Sequence, residues 1–118
     1  MKILSDSEIE FNYRWLKDYY DTVAKIDYYE TMIDKQTTQE ARAGLISEIN
    51  FLKQDLEDFR NLIQNLRSTF PKVVYLKYIE GYTLDEAADE IGYSMSYVRS
   101  KHARFVSKLK ERGIDISN

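Results

Sequence analysis

The residues best suited to chemistry on another molecule lie between Ser94 and Arg112. Six cations, Arg99, Lys101, Arg104, Lys108, Lys110 and Arg112, face one acid there, Glu111, giving a local charge of +5 in a chain whose total is −3. The remainder therefore carries −8. Attraction to a polyanion depends on such local fields rather than on the average charge. Small residues, Ser94, Ser96, Ser100, Ala103 and Ser107, alternate with the cations. On a helix the small residues permit close approach to a groove, while the longer cations at its margins reach phosphates or guanine edges. Ser94, Ser96, Tyr97, Arg99, Ser100, Lys101, Arg104 and Lys108 are the candidate contacts. For Lys108, Lys110 and Arg112 a plainer reading competes, because cations near a helix C-terminus complement its dipole.

Other chemistries lack their parts. The chain has no cysteine and one histidine, His102, so thiolate metal sites, disulfides and cysteine nucleophiles are excluded. Neither a glycine-rich phosphate loop nor a nucleophile paired with histidine is visible, and the carboxylates follow helical surfaces. The reading is a protein that is not an enzyme and needs no cofactor or metal. His102 falls on the inward stripe Met95, Val98, His102, Phe105, Leu109 and is expected to be a half-buried core residue. No apolar run approaches a membrane span, and acids follow the start MKILSDSEIEF too closely for a signal-peptide core. A cytoplasmic location is expected.

The elements that must position these residues are helical. Four glycines and one proline in 118 residues leave few turns for a strand-rich fold. A first helix is predicted from about Asp6 to Asp34, with Leu16, Tyr19, Val23, Ile26 and Ile33 on one stripe. After Lys35–Thr38, Thr37 and Glu40 have capping-box spacing. A heptad-like stripe follows: Leu45, Ile49, Leu52, Leu56, Phe59, Ile63, Leu66. Two such helices with a short connection predict an antiparallel hairpin. Its first helix is rich in rings, Tyr13, Trp15, Tyr19, Tyr20, Tyr28 and Tyr29, more than one partner helix can cover. Self-association is the expected use, since interleaved acids such as Asp18, Asp21 and Asp27 would repel phosphates.

A break at Phe70-Pro71 opens a third helix, expected to reach about Glu80 before Gly81. Thr83 with Glu86 then forms a capping box for a short helix carrying Leu84, Ala87, Ala88 and Ile91. Gly92 breaks it, and Ser94 caps a last helix from about Met95 to Lys110. The fold class is thus all-α: a long antiparallel hairpin, residues 1–68, followed by a three-helix head, residues 69–118. Helix, three-residue turn, helix, with small Ala88, Gly92 in the turn and Val98 locking the second helix across the first, is the arrangement of a helix-turn-helix.

The stretch from Val74 to Ser94, VYLKYIEGYTLDEAADEIGYS, followed by Val98-Arg99-Ser100 and Arg104, closely resembles region 4 of bacterial sigma factors. The resemblance covers about 40 residues, and an acidic hairpin ahead of them is similar to the small phage and prophage regulators of the ArpU and RinA type. It implies double-stranded DNA as the partner, transcriptional regulation as the function, and the last helix in the major groove. RNA polymerase is a further candidate partner, and a homodimer through the hairpin is expected. Residues 1 to 68 do not resemble the sigma region that grips the −10 element and polymerase core, and His102 replaces a usual aliphatic residue. Two alternatives remain: a protein-interaction module or inhibitor on the same scaffold, binding polymerase, another regulator or the signal-recognition apparatus, and a small terminase subunit.

Overall fold

The computed structural model describes residues 3–116 and contains, among them, five α-helices and no strand. They are α1 (Asp6–Ile33), α2 (Gln39–Asn65), α3 (Phe70–Tyr78), α4 (Leu84–Ile91) and α5 (Met95–Glu111). No helix among the described residues is long and apolar enough to cross a membrane. The chain divides into two compact units, Met1–Leu16 with Leu66–Asn118, and Lys17–Asn65. That division differs from a simple cut at residue 68, because the first turns of α1 group with the head.

In the unit Lys17–Asn65, the connection 34–38 turns the chain and α2 packs on α1. Ile26, Ile49 and Leu52 are buried together, with Tyr29, Ile33 and Leu56 against them. These are the stripe positions that helical periodicity selects. The cap of α2 is one residue later than its capping-box spacing suggests. Thr38, not Thr37, is the N-cap, its Oγ1 accepting from the Ala41 amide at 3.1 Å. Helix starts at Gln39, so the third helical position is Ala41, which has no side chain to reciprocate.

The other unit is fixed by a run of local signals. Ser5 and Glu8 form a capping box that begins α1: the Glu8 amide donates to Ser5 Oγ at 3.1 Å, and the Ser5 amide donates to Glu8 Oε1 at 3.2 Å. Pro71 sits in the first turn of α3, where its missing N–H costs nothing. The helix ends at Tyr78, two residues short of Glu80. Gly81, at φ 80°, reverses the chain so that the Tyr82 amide donates to the Leu76 carbonyl at 2.9 Å.

Phe70, Val73 and Val74 of α3, Ala87 and Ala88 of α4, and Val98, Phe105 and Leu109 of α5 are buried. Phe70 meets Phe105 edge-on, ring centroids 5.4 Å apart. Burying a side chain of this size contributes roughly 1.5–3 kcal/mol, so α5 is held chiefly by this inward stripe. Met95, read as its first member, is instead exposed, because the turn before α5 leaves its first residue outside the helix crossing. Leu4, Ile9, Trp15 and Leu16 join the buried set, and Trp15 lies 6.5 Å from Tyr75, ring to ring. Buried Asn12 accepts from Trp15 Nε1 at 2.9 Å and donates to the Glu8 carbonyl at 2.7 Å, so burial leaves neither group stranded.

Candidate nucleic-acid interface

The helix pair α4 and α5 is set by an N-cap on each helix and a glycine between them. Thr83 Oγ1 accepts from the Glu86 amide at 3.1 Å, and Glu86 Oε1 accepts from the Thr83 amide at 3.0 Å. Accepting those bonds holds the Glu86 carboxyl below its ordinary pKa. Gly92 adopts φ 78°, a conformation costly for any residue with a Cβ, and the Tyr93 amide returns to the Ala88 carbonyl at 3.0 Å. Ser94 Oγ then accepts from the Tyr97 amide at 3.1 Å and starts α5. With Ala87 and Ala88 fully buried, no bulky side chain separates α4 from α5, and Val98 is buried beside them.

Helical phase turns Ser96, Arg99, Ser100, Ala103 and Ser107 to solvent, on the face away from Val98, Phe105 and Leu109. The small-residue strip read from the sequence is therefore an exposed surface. Its margins are occupied differently. On one side Tyr93 and Tyr97 stack at 5.1 Å, and Lys101 Nζ sits 4.8 Å above the Tyr97 ring. On the other, Arg99 pairs with Asp85 of α4, its side chain still 59% exposed. An ion pair so exposed is worth about 0–1 kcal/mol, little enough for Arg99 to exchange Asp85 for another acceptor.

Arg104 is placed otherwise. Its Nε donates to the Leu4 carbonyl at 2.6 Å, its Nη2 lies 3.8 Å from Asp6, and its side chain is 35% exposed. A charged hydrogen bond to a half-buried carbonyl contributes about 1.5–3 kcal/mol, so Arg104 is tied to the segment before α1. Lys108 is half-buried and lies 3.5 Å from Glu111. Arg112 donates to Glu10 at 2.6 Å and lies 5.7 Å from the Tyr13 ring centre, which engages it with α1. Lys110 remains exposed.

His102 is buried on the inward face as its stripe position requires. Tyr78 Oη and His102 Nε2 are hydrogen-bonded at 2.7 Å, and the two rings stack at 5.8 Å. Burial, with help from Lys77, pushes the imidazole down to about 4, so it is neutral at physiological pH.

A capped helix pair, a left-handed glycine between them and a polar, cation-flanked face on the second helix make a helix-turn-helix. The model of the family Sigma-70, region 4 matches residues 62–111. Sigma-70 region 4 is a helix-turn-helix DNA-binding domain. The matched segment takes in the last turn of α2 and all of α3, α4 and α5, and ends with α5 at Glu111. Residues 1–61 lie outside it. No curated protein and no solved structure matches the chain.

Sequence reading had no signal for two partners of the region 4 segment. Asp85, which receives Arg99, appears in the sequence only as a solvated helix position. The segment at Ile3 and Leu4 looks like the lead-in to a hairpin. The Ser5–Glu8 spacing could have fixed the start of α1 and isolated these two apolar residues, but not shown where they pack.

Proposed function

We propose that this protein binds double-stranded DNA sequence-specifically and regulates transcription, with α5 in the major groove. One observation carries the reading: within a segment matching Sigma-70, region 4, the face of α5 left uncovered by the core is the serine strip Ser96, Ser100, Ser107, with Arg99 loosely held at its edge. The first turns of α5 read bases through Ser96, Arg99 and Ser100. Lys101 and Lys108 contact phosphates, and the Ser94 end of the helix offers backbone amides to another. The acidic hairpin joined to this segment favours a regulator of phage or prophage genes, of the ArpU and RinA type.

The unit Lys17–Asn65 serves as the homodimer contact. Tyr28, Phe51 and Leu62 are large apolar side chains exposed on it, more than a solitary helix pair needs. A dimer presents two α5 helices to half-sites spaced by one or more turns of DNA. Titration of a labelled duplex at increasing salt tests the central claim. Several neutralised phosphates make log Kd rise steeply with log salt, and a cognate site competes better than random duplex. Salt-independent association, or none, removes the reading. Sedimentation equilibrium at micromolar protein giving the mass of a single chain removes the dimer.

A further inference from the structure

We infer that the amino-terminal arm, residues 3–5, is a second contact for duplex DNA, beside the phosphate strand that borders the carboxy-terminal half of α5. The inference rests on α5 being the groove helix. Leu4 is 1% exposed, while its neighbour Ile3 is 73% exposed. The arm is thus anchored at one residue and presents the next. The anchor is double: Leu4 enters the core, and its carbonyl accepts from Arg104 Nε at 2.6 Å.

Between the arm and α5 lies a groove of about 450 Å³, lined by Ile3 and Leu4 on one side and by Ser100, Arg104, Ser107 and Lys108 among others on the α5 side. Its α5 wall belongs to the outward serine strip, so a molecule seated on that strip meets Ile3. None of the lining residues is acidic. Two carboxylates border it, each opposite a cation of the lining: Asp6 3.8 Å from Arg104 and Glu111 3.5 Å from Lys108.

Geometry selects the backbone of DNA as the occupant. A helix of 17 residues is straight and about 25 Å long, whereas the major groove winds around the DNA axis, so the whole of α5 cannot stay among base edges. With its amino-terminal turns in the groove, the later turns run alongside a strand. There Lys101 and Lys108 supply charge, Ser107 a hydroxyl, and Ile3 an apolar contact for sugar.

Charge placed at residue 3 reports on this directly, since the side chain is exposed and its replacement spares the core. In the full chain, Ile3→Lys is expected to tighten binding to any duplex about three- to tenfold at about 50 mM salt and to steepen the salt slope by about one unit. Ile3→Glu is expected to weaken it similarly. Because the chain has no cysteine, an iron chelate tethered to Ile3→Cys gives an independent readout, and it is expected to cut the backbone inside the footprint. If the parent binds salt-dependently while both charge variants match it within twofold, the arm lies away from DNA and the inference falls alone. If both variants bind more tightly than the parent, the arm is a lid rather than a contact, which also overturns it. A parent that binds no duplex at about 50 mM salt removes the DNA reading and the arm's part with it.

Discussion

The two halves of α5 carry similar side chains and hold them differently. In the amino-terminal half, Arg99, its own side chain 59% exposed, reaches back to the half-buried Asp85 of α4, and Ser96 and Ser100 are open to solvent. In the carboxy-terminal half, Arg104 is committed to the half-buried Leu4 carbonyl, and Lys108 is half-buried beside Glu111. An arginine is therefore not a DNA contact because it lies on a basic helix. What matters is the cost of leaving its present partner, which is small for an exposed ion pair and several times larger for a half-buried carbonyl.

The contrast breaks most visibly at Arg104. Arg104→Ala is expected to lower stability by about 1.5–3 kcal/mol, leaving the Leu4 carbonyl without its charged donor, and to leave base preference unchanged. Thermal unfolding with a binding-site selection on the surviving protein reads both. A variant of parental stability with altered preference would make the two halves equivalent.

Arg99→Ala is expected to behave in the opposite sense. It should cost about 1–3 kcal/mol on the cognate duplex and relax discrimination at one base pair. Unfolding should stay within about 1 kcal/mol of the parent, since only a largely exposed pair is lost. Equal affinity for matched and mismatched sites in the parent, unchanged in the variant, would deny Arg99 a reading part.

His102 sharpens the comparison from beneath, being the buried polar residue where α5 crosses α3. Its value in the folded protein, about 4, lies below the ordinary 6.5, so on acidification the unfolded chain takes up this proton first. Stability is therefore full above pH 6.5 and is lost as pH falls toward 4, by about 1–2 kcal/mol once its partial exposure is allowed for. Melting between pH 6.5 and 4.5 should show the decline in the parent and a flatter profile in His102→Gln. The carboxylates held low, Glu10 and Glu86, give up their contribution only below about 4.5.

The smallest effect belongs to Lys108, half-buried beside Glu111. Lys108→Ala is expected to weaken cognate and random duplex nearly equally and to lower the salt slope by about one unit. A loss confined to the cognate site would move base reading into the second half of α5.

By itself the sequence determined what depends on near neighbours. Helical periodicity, the Thr83–Glu86 box, Ser94, Pro71 and the glycines at 81 and 92 act within a few residues, so all five helices and the helix-turn-helix were legible from residue types and spacing. The exposed strip Ser96, Ser100, Ser107 followed too, because a helix with a known inward stripe has a known outward face. Tertiary structure alone decided which cations on that helix are engaged. Leu4 and Arg104 are a hundred residues apart, and so, nearly, are Glu10 and Arg112. Such contacts leave no period in the chain. They arise when buried Leu4, Ile9 and Trp15 bring the first turns of α1 into the compact unit that holds α3, α4 and α5, setting a carbonyl and a carboxylate within reach of arginines whose neighbours in sequence give no hint of either.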